Sequence, residues 1–382
     1  MMQGPEPLNI LHVISTSGLF GAERVLLELA SQSRTLGMNV TVAALRNSSN
    51  PNTELAEAAR SAGLPTLVVP CGGRFDAGVT GILTEEIRKR GVQIIHSHNY
   101  KSNYYARHSA SRTGAAWVVT NHGRRAGFKL LVYAMLDALL VRKAGRVVAV
   151  SPRISDQLSA LGIKREILSV IDNGVDFNRF TSLPAKDGAG RLLGIADGAY
   201  VVGTVGALTE EKGHRYLLQA VHNLRKSIPG ILCLLVGDGP ERTRLESIAR
   251  ELGMADAVVF AGKRDDVPSI LPRFDLFVLP SLSEGLPMAL LEAQAARVPV
   301  IATGVGAIST VIQNGVTGLV VPPGDAQSLA EAVMSSHGEI DKARDRALKG
   351  YERVKEHYSA ETMTLEYLEL YRGLIRSGGY AG

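Results

Sequence analysis

Residues 275–303 read DLFVLPSLSEGLPMALLEAQAARVPVIAT and hold one strand–helix–strand unit. The apolar run DLFVLPS predicts a strand, MALLEAQAARV has the apolar spacing of a helix, and PVIAT predicts a second strand. The helix is predicted to begin near Leu286 or Pro287, because proline is tolerated in the first helical turn. Short apolar strands joined by a helix pair in parallel through a right-handed crossover.

The same alternation extends along the chain in both directions. LNILHVIS (8–15) predicts the first strand, whereas residues 181–200 are rich in Gly, Ala and Asp and lack periodicity. The alternation restarts at residue 200, so the chain is predicted to be α/β, with two Rossmann-like, doubly wound parallel-sheet domains. Such domains place ligands at the carboxyl ends of strands and in the cleft across which they face each other. The predicted parts are an N-terminal domain (1–180), a C-terminal domain (181–358) and a C-terminal helix (359–382) packing back on the first domain, within a tail that is helical throughout from Asp341 to Ser377.

Composition and charge exclude several classes of protein. With 45% hydrophobic and 21% charged residues among 382, the chain is not disordered, and it has no run of about 18 apolar residues that could span a membrane. No signal peptide is visible, and Cys71 and Cys233 stand alone, which predicts a cytoplasmic protein. Residues 1–172 hold 20 Lys and Arg against 12 Asp and Glu, whereas residues 173–382 hold 22 against 25. The basic first part favours an anionic partner or is a solvated surface.

Two glutamates flank the start of the helix in residues 275–303. Glu284 lies in the loop and Glu292 lies about two turns into the predicted helix. A carboxylate in such a loop suits hydrogen bonding to vicinal hydroxyls, and free N–H groups at a helix start suit phosphate oxygens. The alternative is a capping Glu and a solvated Glu. The N–H groups concerned belong to Gly285, Leu286, Met288 and Ala289.

The Glu pair, with VGALTEEKG (205–213) upstream and VVPPGD (320–325) downstream, resembles the retaining family 4 glycosyltransferases of GT-B architecture, the glycosyl transferases group 1. The resemblance covers nearly the whole chain. It implies metal-independent sugar transfer from a nucleotide diphosphate sugar, with a UDP-sugar favoured and no cofactor. It also implies that Glu284 binds hydroxyls of the donor sugar and that Glu292 binds the nucleotide ribose. The N-terminal domain is then the acceptor side and the C-terminal domain binds the nucleotide sugar.

The segment 205–213 matches the family pattern G-R-L-x-x-x-K-G in its Lys212, which the resemblance assigns to the donor diphosphate. A lysine at this position alone is more often a surface residue. The family's usual arginine is replaced by Ala207. Arg264 and Arg24 are the candidate substitutes, and helix-end amides are the alternative.

The first strand is followed by SGLFGAER (17–24), which has G-x-x-G spacing rather than the dinucleotide fingerprint G-x-G-x-x-G. The alternative is a glycine-rich turn that only permits tight packing. The resemblance implies that the amide of Gly21 approaches the donor phosphate and that Glu23 and Arg24 face the acceptor.

Two predicted strand ends carry histidines, in HSHNYKS (96–102) and VVTNHGRR (118–125). A single histidine is more often structural than catalytic. The resemblance places His122 beside the reacting carbon of the donor sugar, and it places His98 and Lys101 on the acceptor side.

The predicted function is therefore retaining transfer of a sugar to a hydroxyl of a glycan or lipid-linked glycan, with His122, Lys212 and Glu284 as catalytic residues. No Asp-x-Asp occurs, which agrees with the absence of a metal, and no nucleic acid partner is expected. Residues 124–146 have an apolar centre between basic ends, typical of a helix at an anionic membrane surface or of a buried helix. The remaining alternatives are a GT-B sugar-nucleotide epimerase and a non-catalytic sugar-nucleotide-binding partner.

Overall fold

The computed structural model describes residues 6–16, 18–19, 21–49, 51–73, 75–123, 128–186, 190, 193–196 and 198–378. The chain divides into two compact units. The first unit comprises Met1–Gly174 and Ala360–Gly382, and the second comprises Val175–Ser359. The change of unit after Gly174 falls six residues before the boundary predicted at 180.

The first unit contains a parallel sheet of seven strands. Its strands are β1 (Asn9–Ser15), β2 (Asn39–Asn47), β3 (Thr66–Cys71), β4 (Ile94–Ser97), β5 (Ala116–Asn121), β6 (Arg146–Ala149) and β7 (Leu168–Val170). Their order is β3-β2-β1-β4-β5-β6-β7, and each neighbouring pair is parallel. The order reverses beside β1 and β4, which is where doubly wound sheets bind ligands beyond the strand ends.

The helices of the first unit cover both faces of this sheet, as the apolar strands require. Helix α4 begins with a capping box in which Asn99 and Ser102 each satisfy the other's backbone N–H. This cap fixes the chain directly after β4. Besides the C-terminal helix of the chain, the described helices of this unit are α1 (Gly21–Thr35), α2 (Glu54–Ser61), α3 (Ala77–Arg90), α4 (Tyr100–Thr113), α5 (Phe128–Val141) and α6 (Pro152–Ala160).

The second unit contains a parallel sheet of six strands, β8 (Tyr200–Val205), β9 (Ile231–Val236), β10 (Val258–Gly262), β11 (Leu276–Leu279), β12 (Val300–Thr303) and β13 (Leu319–Val321). Their order is β10-β9-β8-β11-β12-β13. Phe277 and Leu279 pack into the core on one face of β11, whereas Leu276 and Val278 pack into the core on the other face. This burial on both faces explains why the strand in residues 275–303 is an unbroken apolar run.

The helices of the second unit are α7 (His214–Leu224), α8 (Arg242–Glu251), α9 (Val267–Ile270), α10 (Met288–Ala295), α11 (Ile308–Val311), α12 (Ala326–Gly338) and α13 (Ile340–His357). Helix α10 begins one residue after Pro287, which is its N-cap. Glu292 is therefore one turn, rather than two, inside the helix.

The C-terminal tail is two helices rather than one. Helix α13 ends at His357, and α14 (Ala360–Arg376) follows in the first unit, where it packs against α1. The prediction of a continuous helix was wrong at Tyr358 and Ser359, because the Val175 amide donates to the Tyr358 carbonyl and Ser359 forms a β-bridge with Val175. The chain thus leaves the second unit beside the point where it entered. Among the described helices, none is both long and apolar enough to cross a bilayer.

Candidate functional site

Lys212 and Glu284 form an ion pair at the carboxyl ends of β8 and β11. Lys212 Nζ donates to Glu284 Oε1 at 2.6 Å, and Ser281 Oγ donates to the same oxygen at 2.6 Å. The Glu284 side chain is 7% exposed and the Lys212 side chain 23% exposed. The pair therefore places the partly exposed ammonium group of Lys212 beside a buried carboxylate, to which Ser281 also donates a hydrogen bond.

Glycine at 213 permits this approach of two loops. Gly213 has φ +64°, and a Cβ there would lie 2.2 Å from the Pro280 carbonyl oxygen. The backbone N–H of Leu282 donates to the Glu211 carbonyl at 2.7 Å. The loop after β8 is thereby fastened to the loop after β11, which places Lys212 against Glu284.

A third loop completes the same edge of the sheet. Gly306, after β12, has φ +58°, and a Cβ there would lie 2.1 Å from the Glu284 carbonyl oxygen. Beside it, α10 starts with the amides of Met288 and Ala289, and Gly285 and Leu286 precede the helix. Amides at a helix start carry partial positive charge, so this edge can bind an anion.

Glu292 lies on α10 and is buried, with its Oε1 3.6 Å from a guanidinium nitrogen of Arg179. Arg179 lies in a short 3-10 turn, Phe177–Phe180, that follows the change of unit. No motif in the sequence marks this arginine as a site residue. The guanidinium beside this buried carboxylate offsets part of the cost of burying its charge.

The position of the missing family arginine lies between glycine-rich loops. Ala207 follows β8, and a Cβ on Gly237, after β9, would lie 1.8 Å from the Gly206 carbonyl oxygen. Arg264 follows β10 and donates two hydrogen bonds to Asp266, at 2.8 and 2.7 Å, which raise the pKa of Arg264. Arg264 is thus engaged with a carboxylate, and Arg24 lies in the first unit.

The predicted acceptor-side residues lie around the first turn of α1 and the start of α4. Gly21 begins α1, and Glu23 and Arg24 occupy its first turn, with Glu23 buried. Lys101 donates from Nζ to Oδ1 of Asn47, at the end of β2. These side chains lie at the carboxyl edge of the first sheet, as expected for ligand-binding groups.

His98 and His122 lie directly after β4 and β5. His98 Nδ1 is 3.2 Å from His122 Nε2, and His98 Nε2 is 3.0 Å from Nδ1 of His12. Burial lowers the pKa of His122 to about 4 and that of His98 well below the usual value. His12 was missed by the sequence argument, although an imidazole inside the apolar run LNILHVIS was a visible signal.

Comparison with known proteins identifies the family. The family described as Glycosyl transferases group 1 matches residues 191–349, and Glycosyltransferase Family 4 matches residues 21–179. D-inositol 3-phosphate glycosyltransferase of Corynebacterium urealyticum is 30% identical over 325 residues, which are 78% of this chain and 76% of that protein. The chain therefore belongs to the group 1, family 4 glycosyltransferases.

Two further proteins are similar to this chain, one over part of its sequence and one in its fold. Lipopolysaccharide core biosynthesis glycosyltransferase LpsE of Rhizobium meliloti is 34% identical over 60% of this chain and 64% of its own length. The chain spans about three fifths of the length of the first curated relatives it matches. The crystal structure of Anabaena Alr3699/HepE with UDP and glucose has a TM-score of 0.84 at 21% identity, covering 96% of this chain and all of that one. This likeness confirms the predicted fold of two Rossmann-like parallel-sheet domains.

Proposed function

We propose that the protein is a retaining, metal-independent glycosyltransferase that moves a sugar from a UDP-sugar to a hydroxyl of a glycan or lipid-linked glycan. The observation that carries this proposal is the Lys212–Glu284 pair beside the start of α10. The carboxylate of Glu284 can accept hydrogen bonds from sugar hydroxyls, and the Lys212 ammonium and the helix amides can bind a diphosphate. The UDP and glucose bound by Alr3699/HepE support the choice of donor.

Departure of the nucleotide diphosphate develops negative charge on its oxygens. In this proposal Lys212 and the amides at the start of α10 stabilise that charge, so the protein's own groups do the work that a metal does elsewhere. The departing phosphate oxygen takes the proton of the acceptor hydroxyl while the C–O bond to the acceptor forms on the same face of the sugar. Anomeric configuration is then retained without a protein nucleophile.

Glu284 is proposed to bind the donor sugar rather than attack it. Its Oε1 accepts from both Lys212 and Ser281, and a carboxylate oxygen engaged twice is a weak nucleophile. Glu292 is proposed to bind the ribose hydroxyls, with Arg179 holding the carboxylate in place. His122 is proposed to contact the donor sugar, with His98, Lys101, Glu23 and Arg24 on the acceptor side.

The acceptor is proposed to be bound by the first unit, at a membrane surface. On α5, Met135, Leu136 and Leu139 are more than half exposed, whereas Ala138 and Val141 are buried. Arg142 and Lys143 follow and are exposed. An exposed apolar face beside basic residues suits an anionic lipid surface. Arg124 and Arg125, at the other end of the predicted segment, lie outside the described residues.

The name of LpsE, a lipopolysaccharide core biosynthesis glycosyltransferase, supports a lipid-linked glycan as acceptor. The protein is accordingly proposed to act at the cytoplasmic face of a membrane as a peripheral protein. No nucleic acid partner is proposed.

The proposed function is tested by a screen of nucleotide sugars followed by product analysis. A bound donor raises the unfolding midpoint by mass action, so UDP-sugars are expected to raise it more than GDP- or ADP-sugars. The selected donor is then incubated with candidate glycan acceptors, and mass spectrometry is expected to find acceptor extended by one sugar. An epimerised donor without transfer would favour the epimerase, and donor binding without any turnover would favour a non-catalytic binding partner.

A further inference from the structure

Four histidines lie side by side in the first unit. His12 of β1 pairs in register with His96 of β4, and His98 and His122 follow β4 and β5. The ring centres of His96 and His98 are 4.1 Å apart, and those of His98 and His122 are 5.5 Å apart. Because buried polar atoms are usually hydrogen-bonded, each ring nitrogen of this cluster is expected to have a partner.

His96 is satisfied by hydroxyl groups. Its Nε2 lies 2.7 Å from Thr120 Oγ1 and its Nδ1 lies 2.7 Å from the hydroxyl of Tyr371. Thr120 Oγ1 in turn lies 2.8 Å from the hydroxyl of Tyr367. Both tyrosines belong to α14, so the returning C-terminal helix fixes this ring.

The other three rings form a separate chain. His12 Nδ1 contacts His98 Nε2 at 3.0 Å, and His98 Nδ1 contacts His122 Nε2 at 3.2 Å. The two ends, His12 Nε2 and His122 Nδ1, are buried and have no hydrogen-bond partner among the described residues. The three rings are therefore hydrogen-bonded to one another, and only the outer nitrogens of His12 and His122 lack a partner among the three rings' nitrogens.

A neutral imidazole has one N–H donor and one acceptor nitrogen, which couples the three tautomers. If His12 carries its proton on Nδ1, His98 must accept at Nε2 and donate from Nδ1, and His122 must accept at Nε2 and hold its own proton on Nδ1. The opposite arrangement reverses all three rings and leaves an N–H at His12 Nε2. Both outer nitrogens are shielded from solvent, but His12 lies fully buried inside β1, whereas His122 is a partly exposed residue directly after β5, at the carboxyl edge where a ligand can supply an acceptor. An unpaired N–H therefore costs more at His12.

We infer that His12 and His98 are positioning residues that hold His122 in the tautomer with its proton on Nδ1. The free end of the chain is then an N–H donor suited to a hydroxyl or carbonyl oxygen of a substrate. The catalytic consequence rests on the proposed function, in which His122 contacts the donor sugar, but the tautomer itself does not.

Burial supports neutral rings throughout the chain. It lowers the pKa of His12 to about 3 and that of His122 to about 4, and the pKa of His98 is lowered by burial and by its histidine neighbours. Neighbouring neutral rings can form N–H···N hydrogen bonds with each other, whereas adjacent imidazolium ions would repel each other.

The cluster could alternatively hold a metal ion, because one ligand atom from each of His12, His96 and His98 lies within 4.8 Å of the others. A metal there would have to replace one bond from His96 to a hydroxyl partner and one bond from His98 to an imidazole partner. Both nitrogens of His96 and both nitrogens of His98 are already hydrogen-bonded without an ion.

The test is the tautomer of His122 in full-length protein labelled with ¹⁵N-histidine, compared between wild type, His12→Leu and His12→Asn. Leu removes the first donor, whereas the Asn side-chain amide keeps a donor near the Nδ1 position. The His122 nitrogen shifts are expected to report Nδ1–H in wild type, a mixture in His12→Leu, and Nδ1–H again in His12→Asn. His12 does not contact His122 directly, so a purely local packing role would leave those shifts unchanged.

His108→Leu is the matched control, because the His108 ring nitrogen Nδ1 lies 2.7 Å from the Tyr104 carbonyl oxygen and the ring is not part of the three-histidine chain. It is expected to leave His122 unchanged. Should His12→Leu fail to fold, as judged by amide spectra, His98→Leu replaces it, since Leu has no polar atom to bridge its neighbours. Identical His122 shifts in all folded variants, an Nε2–H tautomer in wild type, or stoichiometric zinc uptake with metal-bound shifts at His12 and His98 would overturn the inference.

Turnover separates this inference from the proposed function. The kcat for transfer is expected to fall about fivefold in His12→Leu, as for loss of one buried hydrogen bond, with KM for the donor unchanged and kcat recovered in His12→Asn. A coupled tautomer with no transferase activity would refute the proposed function alone, whereas activity with an uncoupled His122 would refute the positioning role alone.

Discussion

Two sets of polar side chains differ in charge. Those in the loops after β8 and β11 are charged, whereas those of the histidine chain in the first unit are neutral. Lys212 and Glu284 are charged and paired, with the lysine still reaching solvent. His12 and His98 are buried and His122 is partly buried, and their low pKa values keep them neutral. The first arrangement can stabilise a developing charge, whereas the second can only orient a hydrogen bond. Substitutions in the charged loops are therefore expected to cause large losses of activity, and substitutions among the neutral rings smaller ones.

The largest effect is expected for Lys212→Ala. Its ammonium meets charge that grows as the diphosphate departs, and loss of one such group lowers turnover by about 100-fold or more. Steady-state kinetics should show the fall in kcat with little change in unfolding midpoint. Lys342→Ala is the matched control, because Lys342 makes an exposed ion pair with Glu339. A raised KM with kcat near wild type would mean that Lys212 only binds the donor.

The next effect is expected for Glu292→Gln. A charge-assisted hydrogen bond contributes about 1.5–3 kcal/mol, so the affinity for UDP should fall about 10- to 100-fold. Titration calorimetry measures it, with Glu331→Gln, an exposed change on α12, as control. Unchanged UDP affinity would remove Glu292 from the ribose site.

The neutral histidines predict a loss of stability in acid. The pKa values of His12, His122 and His214 are lowered by burial to about 3, 4 and 4, and those of His96 and His98 are also lowered. Below the unfolded pKa of about 6.5, the unfolded chain binds more protons than the folded one, so the free energy of unfolding falls with falling pH.

Each such histidine can contribute up to about 1.4 kcal/mol per pH unit between the unfolded and folded pKa values. Urea unfolding at pH 7, 6 and 5 should therefore show progressively lower stability. His357→Gln, which removes an exposed ring, should leave the slope unchanged. Equal stability at pH 7 and 5 would mean that these rings are protonated or accessible in the folded protein.

The smallest effect concerns the exposed face of α5. Sedimentation with anionic vesicles should show reversible binding that falls as salt rises, since each basic residue contributes about 1 kcal/mol at such a surface. Leu136→Ser with Leu139→Ser should weaken this binding. Leu365→Ser is the control, because Leu365 is similarly exposed on α14. Equal sedimentation with neutral and anionic vesicles, or none with either, would favour a soluble acceptor.

The two regions also differ in how far the sequence predicts them. The strand–helix–strand unit at 275–303 was visible because local apolar periodicity specifies it, whereas the donor loops were predicted from their resemblance to the family's motifs. The contact of Lys212 with Glu284 joins residues 72 positions apart. Only the fold, with the close approach at Gly213, brings them together.

Other features depend on tertiary contacts that leave little local signal. The break between α13 and α14 has no proline and arises from the pairing of Ser359 with Val175. His12 joins the histidine chain only because β1 and β4 are neighbours, and Arg179 reaches Glu292 from a turn over 100 residues away in sequence. Long-range pairing of this kind cannot be read from periodicity.

The most direct measurement of the central claim is real-time ¹H NMR of UDP-glucose, or of the donor selected by the thermal screen, turned over slowly with water as acceptor and with excess chelator present. The first sugar released is expected to have the α configuration of the donor, release is expected to continue in chelator, and Lys212→Ala is expected to slow it about 100-fold or more. A β sugar appearing first would contradict retention, and release that stops in chelator and returns with magnesium or manganese would contradict the metal-independent mechanism.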